Sequence, residues 1–172
     1  CQPVVNATAK SMICCSCLTC IRLIPPGGVK KERLTTDDPK GVFSTTTNDF
    51  SNFSTAVYTG ISQPSSSQAW GVPDSVRTPD GDYLIYWVDE MEGEPFEVIR
   101  VASSEDGVSF TPLDDPVIYG GYVDPFVLKA SEGNWIMLLA TTPHPPELPQ
   151  KLHLAKSEDG LTWAVDPKPL LV

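Results

Sequence analysis

The sequence has little positive charge and no long hydrophobic run. Of its 172 residues, 12 are Lys or Arg and 22 are Asp or Glu, which gives a formal net charge of −10 at pH 7. Nucleic acids and anionic membranes require clustered cations, so this balance argues against both as partners. The longest apolar run, residues 11–24, is too short to span a bilayer and contains polar residues. We therefore expect no nucleic acid partner and no membrane span.

The sequence is also poor in alanine, the residue that favours helices most. Ala occurs 9 times, whereas Pro occurs 17 times and Gly 12 times along the whole chain. Proline and glycine interrupt helices and favour turns, so long helices are not expected. Hydrophobic residues make up 41% of the chain, which is enough for a core. The composition favours a single all-β domain of many short strands joined by turns.

The five cysteines are confined to the start of the chain. Cys1 stands alone, and the other four lie within residues 14–20. A structural zinc site usually takes two ligand pairs separated in sequence, and here the second pair is missing, while His144 and His153 are distant. Residues 1–29 end in Pro25-Pro26-Gly27-Gly28, a strong breaker. We interpret 1–29 as a Cys-rich leader or arm, with a zinc-binding arm as the alternative, and expect no metal or cofactor in the folded part, 30–172.

An internal repeat is the most informative feature of the folded part. The run SEDGVSF at residues 104–110 recurs as SEDGLTW at residues 157–163, 53 residues later, and a weaker copy, TNDFSNF, occupies residues 47–53. In all three copies, an Asp precedes an aromatic residue by four positions. We expect Asp106 and Asp159 to bind backbone N–H groups in tight Asp-Gly hairpins.

The repeat extends well beyond this motif. Residues 72–76 precede an Asp-Gly turn and the apolar run 83–87, just as residues 123–127 precede a Gly-containing turn and the apolar run 135–139. Alternating strands follow at residues 98–102 and 152–155. Four short antiparallel strands per unit of about 50 residues are typical of a β-propeller blade. We predict a partial propeller with a partial blade at about 30–62 and blades at 72–118 and 123–170; a β-sandwich is the alternative.

The motifs of both units resemble the five-bladed β-propeller glycoside hydrolases, a group that includes arabinanases, β-xylosidases and fructosidase-like enzymes. The resemblance rests on residues 72–87 and 99–107, and again on residues 123–127 and 152–163. It implies hydrolysis of glycosidic bonds in a polysaccharide or oligosaccharide, a carbohydrate partner and a secreted or periplasmic location. A non-catalytic carbohydrate-binding or scaffold propeller is the alternative.

The number of blades is too small for a closed propeller. About 140 residues provide two full blades and part of a third, whereas closure usually takes four or more. We therefore expect the chain to be a fragment, or to complete itself by association through its open blade edges.

Glycoside hydrolysis needs a carboxylic acid for the leaving oxygen and a carboxylate that activates water or attacks the sugar. The resemblance places such a carboxylate in an Asp-Pro pair that opens the first strand of a blade. Asp124 fits this position, as the base or as the Asp that adjusts the pKa of the acid. Asp74 is a second candidate, but aligning Val72 with Val123 places it one residue late, where it faces the other side unless a bulge intervenes.

The sequence provides no clear general acid. Glu90, Glu92 and Glu94 lie in an acidic loop that we interpret as solvated surface. Aromatic residues near the blade entrances are candidates for stacking on a sugar, with packing in the core or at the rim as the alternative; they are Trp70, Tyr122 and Phe126. Two further aromatic residues, Phe110 and Trp163, are expected to pack between blades.

Overall fold

A computed structural model describes residues 41–45, 52, 54–64, 69–131, 133–144 and 148–170 of the chain. The Cys-rich segment 1–29, Asp49 and Phe53 lie outside the described residues, and so do the interpretations attached to them. Within these described residues, ten strands follow one another: β1 (Gly41–Ser44), β2 (Val57–Ser62), β3 (Gly71–Arg77), β4 (Tyr83–Asp89), β5 (Val98–Ser104), β6 (Thr111–Pro112), β7 (Tyr122–Ser131), β8 (Asn134–Thr141), β9 (Leu152–Ser157) and β10 (Ala164–Val165).

The strands form three antiparallel sheets in chain order. The first sheet contains β1 and β2, the second has the order β3-β4-β5-β6, and the third has the order β10-β9-β8-β7. Each four-stranded sheet is a meander in which consecutive strands pair, as short loops with Gly and Asp allow. The prediction of an all-β chain with two four-stranded units and part of another is confirmed. Among the described residues, no helix is long and apolar enough to cross a membrane.

The second sheet lies between the other two. Alternate residues of β4 point to opposite faces, because the side-chain period of a strand is two. Tyr83, Ile85 and Trp87 join a core cluster with Val42 and Ile61 of the first sheet. The intervening residues of β4 join a second cluster with side chains of the third sheet; they are Leu84, Tyr86 and Val88. Both faces of β4 are therefore buried, which explains its nearly continuous apolar sequence.

The aromatic residues of the repeat motif pack between sheets as expected, whereas the two-residue hairpins predicted for its Asp-Gly pairs are not formed. Phe110 belongs to the core between the first and second sheets, and Trp163 packs against the core between the second and third. The Asp-Gly pairs do not form two-residue hairpins, because residues 105–110 separate β5 from β6 and residues 158–163 separate β9 from β10. The aspartates act within these longer loops.

Both aspartates of the repeat organise their loops by accepting hydrogen bonds. Oδ1 of Asp106 accepts from the backbone N–H groups of Val108 and Ser109 at 2.7 and 2.8 Å. Oδ1 of Asp159 accepts equivalent bonds from Leu161 and Thr162, both at 2.7 Å. The expectation that these carboxylates bind backbone N–H groups is confirmed, and the chain uses them to shape loops.

Candidate functional site

Polar residues that could take part in a reaction lie together at one edge of the second and third sheets, the edge formed by the ends of their strands. At this edge, which we call the entrance edge, β3, β5, β7 and β9 begin and β4 and β8 end. It carries Asp124 near the start of β7 and Glu97 just before β5. The meander topology is the cause, because alternate strands of an antiparallel sheet start at the same edge.

Asp124 is an exposed carboxylate on a β-bulge. The pairing between β7 and β8 shifts between Val123 and Phe126, and Asp124 has a φ of +54°. Asp tolerates this left-handed conformation better than most residues. A bulge turns a side chain out of the regular alternation of the strand. The bulge and the exposure of Asp124 leave its carboxylate open to solvent at the entrance edge.

The second sheet has the same bulge with a different residue on it. Arg77 of β3 pairs with Tyr83, and Lys129 of β7 pairs with Trp135 in the same way. Val72 lies five residues before Arg77, and Asp124 lies five residues before Lys129, so Val72 and Asp124 occupy equivalent positions. Val72 also has a positive φ, +46°, and is 51% exposed. A β-branched residue is strained in this conformation. The repeated bulge is thus a feature of the architecture that directs one side chain per blade into solvent.

This correspondence corrects the sequence alignment that paired Val72 with Val123. In the structure, Asp74 corresponds to Phe126, two residues beyond the position of Asp124. The side chain of Asp74 is 1% exposed. Its Oδ2 accepts a hydrogen bond of 2.6 Å from the backbone N–H of Val127, and its Oδ1 accepts one of 2.9 Å from Ser75. Asp74 therefore links the first strands of two neighbouring sheets, and its carboxylate faces protein.

Glu97 is a buried carboxylate at the entrance edge that the sequence did not single out. Its side chain is nearly buried, and Oε1 accepts a hydrogen bond of 3.0 Å from Oγ1 of Thr142. Nε2 of the exposed His144 lies 3.8 Å from the same oxygen. The backbone reinforces this contact, since Gly121 donates to the carbonyl of Glu97 at 3.1 Å and Thr142 donates to the carbonyl of Gly121 at 2.8 Å. These residues clamp the second sheet to the segment that leads into Asp124.

The clamp depends on a glycine. Gly121 has a φ of +76°, and a Cβ atom there would lie 3.2 Å from Cβ of Phe96. The sequence signal for Glu97 was weak, because it follows three other glutamates in an acidic loop. What distinguishes it is its place directly before a buried strand, where a carboxylate must find a partner.

A second buried acid at this edge is paired with a cation. Oδ2 of Asp89, at the end of β4, lies 3.0 Å from Nε of Arg100, and Nη1 of Arg100 also donates to the carbonyl of Asp114 at 3.1 Å. The guanidinium therefore ties β4, β5 and the loop after β6 together. Asp89 is held by this contact, which leaves Asp124 as the open carboxylate among these three acids.

The three aromatic candidates do not share one environment. Trp70 packs against the core between the first and second sheets. Tyr122 packs against the other core cluster and makes an edge contact with His153, with ring centroids 5.4 Å apart. Phe126 is half-buried and lies opposite Leu138 on the third sheet. Each takes part in packing, and Tyr122 and Phe126 lie two residues before and two residues after Asp124.

The structure is similar to part of solved glycoside hydrolases. The GH32 β-fructofuranosidase of Bombyx mori matches 74% of this chain with a TM-score of 0.59 and 17% sequence identity. The four-stranded antiparallel sheets of this chain thus have the fold of part of a glycoside hydrolase propeller. The resemblance predicted from the sequence motifs is confirmed at the level of the fold.

Two further structures match a smaller share of the chain. A glycosyl hydrolase from Bacteroides ovatus covers 56% of it at 19% identity, and a GH130 glycoside hydrolase that targets β-1,2-mannosidic linkages in Candida mannan covers 57% at 20% identity, each with a TM-score of 0.47. This chain spans 28% of the Bombyx protein and 31% of each of the other two. The sequence matches no protein-family model, and no curated protein matches it significantly.

Proposed function

We propose that this chain forms part of a propeller that hydrolyses glycosidic bonds, with Asp124 as its catalytic carboxylate. The observation that carries the proposal is the exposed carboxylate of Asp124 on a left-handed bulge at the start of the first strand of a blade. The fold shared with glycoside hydrolase propellers supports a carbohydrate as the partner. No metal or cofactor is required, because two carboxyl groups suffice for this chemistry.

Asp124 would act on the face of the sugar that water or the carboxylate attacks. Exposure to solvent leaves the carboxylate accessible to a substrate, as a base or nucleophile requires. Its position is fixed by the bulge and by Asp74, which holds Val127 three residues further along β7. We assign Asp74 to positioning, because its buried oxygens already accept backbone hydrogen bonds.

Glu97 is the residue of the described chain that we propose as the second carboxyl group. It lies at the same edge as Asp124, and the Glu97 clamp adjoins the segment that leads to it. Glu97 is nearly buried, and its contact with Thr142 also gives it a structural role. Tyr122, beside Asp124, would provide an aromatic surface for the sugar.

The direct test is an assay of the purified chain with aryl-glycosides. Arabinofuranoside, xyloside, mannoside and fructoside substrates cover the activities that the resemblance implies. We expect Asp124→Asn to lower kcat by a factor of about 10³ or more with no loss of thermal stability, because the exposed side chain makes no buried contact. The matched control is Asp82→Asn, an exposed acid at the opposite edge of the second sheet.

The assay also separates hydrolysis from binding. If no substrate is turned over but calorimetry shows oligosaccharide binding that Asp124→Asn weakens, the chain is a carbohydrate-binding propeller. Turnover that Asp124→Asn leaves unchanged would show that the catalytic assignment is wrong. Equal effects of Asp124→Asn and Asp82→Asn would point to a general electrostatic effect of the charge.

A further inference from the structure

Two exposed aromatic side chains lie at the entrance edge, and the proposed function does not use them. Phe96 is 46% exposed and Tyr119 is 44% exposed, whereas every other Phe, Tyr and Trp whose exposure the structure describes is buried or half-buried. Phe96 lies two residues before β5, and Tyr119 lies three residues before β7. Both therefore belong to segments that enter a strand at this edge. We call the pair the aromatic platform.

The backbone of Gly121 supports the side chain of Phe96. A Cβ atom on Gly121 would lie 3.2 Å from Cβ and 3.3 Å from Cγ of Phe96, so Phe96 packs directly on the glycine. Gly121 leads into the third sheet, whereas Phe96 leads into β5 of the second sheet. Phe96 therefore lies at the junction of these two sheets, where the neighbours on both sides are present.

Backbone hydrogen bonds hold the segment of Tyr119 on both sides. The N–H of Ile99 donates to the carbonyl of Ile118 at 2.8 Å, and the N–H of Gly121 donates to the carbonyl of Glu97 at 3.1 Å. Tyr119 lies between these two anchors. A surface whose backbone is already fixed loses little conformational freedom when it binds a ligand, and this favours affinity.

The aromatic platform adjoins both proposed carboxyl groups. Phe96 directly precedes Glu97 in the chain, and Gly121, on which Phe96 packs, lies three residues before Asp124. Three residues of extended chain span at most about 10 Å, because the rise per residue is about 3.3 Å. The platform and Asp124 can therefore contact the same ligand when that ligand is longer than one sugar.

The chemistry of the platform and its surroundings suits a neutral sugar. A sugar ring has an apolar face of C–H groups that can pack on an aromatic ring, and its hydroxyl groups can donate to carboxylate oxygens. The exposed acids Glu92 and Glu94 precede Phe96 in the same loop, and the chain has a net charge of −10. These negative charges repel an anionic ligand, so a neutral glycan is the class that fits.

We propose that the aromatic platform is a subsite that binds a further sugar of a neutral glycan chain, beside the sugar held at Asp124. The inference rests on the proposed function, because the platform binds the same glycan on which Asp124 acts. It specifies the substrate class as a chain of several sugars, since a single sugar cannot contact Asp124 and the platform together. The affinity of the chain for a glycan should therefore rise with the length of that glycan.

Calorimetry with oligosaccharides of increasing length tests the proposal. The probes are arabino-, xylo-, manno- and fructo-oligosaccharides of one to four sugars, and the protein is the full chain with Asp124→Asn, which prevents turnover. In the series that binds, we expect the dissociation constant to fall about tenfold from the monosaccharide to the trisaccharide. Adding Phe96→Ala should remove most of this gain, whereas Phe96→Tyr keeps an aromatic ring and should retain it. The matched control is Leu161→Ala, an exposed apolar residue in the loop after β9, at the opposite edge.

A second variant of the platform, Tyr119→Ala, protects the test against misfolding of the first, and thermal melting checks that each variant is folded. Absence of binding in all four series, or equal affinities for short and long glycans, overturns the proposal. So does a gain with length that both Phe96→Ala and Tyr119→Ala leave intact, or one that Leu161→Ala removes equally.

Failure of the proposed function gives a different result. If the wild type hydrolyses no glycoside but length-dependent binding requires Phe96, the subsite is supported and the catalytic assignment of Asp124 is wrong. If hydrolysis requires Asp124 but affinity does not rise with glycan length, the catalytic assignment holds and the subsite is wrong.

Discussion

The carboxylate of Asp74 accepts a hydrogen bond of 2.6 Å from the backbone N–H of Val127 and thereby joins the first strands of two neighbouring sheets. The contact lies in the interior, where a hydrogen bond to a charged group is stronger than at the surface. It also fixes β7 three residues beyond the exposed Asp124. Asp74 therefore supports the strand that carries Asp124.

Asp74→Ala should destabilise the fold because it leaves the N–H of Val127 buried without its acceptor. We expect a loss of about 3 kcal/mol in the free energy of unfolding, measured by urea denaturation. Asp74→Asn keeps a carbonyl oxygen that can accept the bond, so its loss should be smaller, about 1 kcal/mol. Equal stability of the wild type and Asp74→Ala would contradict this role.

Tyr86→Phe should have a moderate effect, because the carbonyl of Gly160 keeps a second donor. Oη of Tyr86 donates to this carbonyl at 2.5 Å, and Nε1 of Trp163 donates to it at 2.9 Å. We expect a loss of about 1 kcal/mol, or about 2–4 °C in the melting temperature. The control is Tyr119→Phe, an exposed tyrosine, which should melt as the wild type does.

Burial, followed by the charges of Asp159 and Asp74, raises the pKa of Tyr86 well above its usual value. The unfolded chain ionises this phenol near pH 10, whereas the folded chain keeps it protonated. Its contribution to stability is thus complete below about pH 10 and decreases as the pH rises further. Above this pH, the stability of Tyr86→Phe should depend less on pH than that of the wild type.

Gly160→Ala should be more harmful than Gly133→Ala, although both glycines have a positive φ, +79° and +69°. A Cβ on Gly160 would lie 3.2 Å from both Leu84 and the hydroxyl of Tyr86, whereas a Cβ on Gly133 would meet nothing within 4 Å. Both variants share the backbone cost of about 1 kcal/mol, and Gly160→Ala adds strain between sheets of about 1–2 kcal/mol. Thermal melting of the pair isolates the steric part; equal melting temperatures would show that the sheets adjust without cost.

Asp159 should make stability depend on pH in the acid range. Burial raises the pKa of its carboxyl group, but the N–H groups of Thr162 and Leu161 and the hydroxyls of Ser157 and Thr162 outweigh burial and lower it to about 2. The pKa of an unfolded aspartate is near 3.9, so the stabilisation is present above about pH 4 and is lost as the pH falls through about 2.

Asp159→Asn checks this sign. The difference in melting temperature between the wild type and Asp159→Asn should be largest above about pH 4 and should shrink towards about pH 2. Asp166→Asn serves as the control, because Asp166 is an exposed acid that accepts one backbone hydrogen bond, from Lys168. A difference that stays constant over this range would rule out a contribution from the charge of Asp159.

The strands and the repeat were accessible from the sequence because they depend on local patterns. Alternation, apolar runs and Gly-containing turns located β3, β4 and β5 and their counterparts in the third sheet. The role of the Asp in each repeat loop was also predictable from the sequence. Its carboxylate accepts hydrogen bonds from the backbone N–H groups two and three residues later, and such bonds depend only on local geometry. Loop length was less accessible, and the two-residue hairpins predicted for Asp106 and Asp159 were wrong.

The environments of the candidate site residues were harder to predict from the sequence than the strands, because they depend on tertiary structure. Asp74 and Asp124 look alike in sequence, each beside a proline at the start of a strand, yet one is buried against Val127 and the other is exposed. The difference arises from a bulge that shifts the alignment, and from a neighbouring sheet that is more than 50 residues away in sequence. Glu97 was missed for the same reason, because its partner Thr142 is 45 residues distant.

By itself, the sequence determined the class of fold, the repeat and the types of residue available for chemistry, because these follow from composition and short-range periodicity. Only the tertiary structure decided which carboxylates face protein and which face solvent. That decision requires the packing of one sheet on another, which buries Asp74 and leaves Asp124 open to solvent.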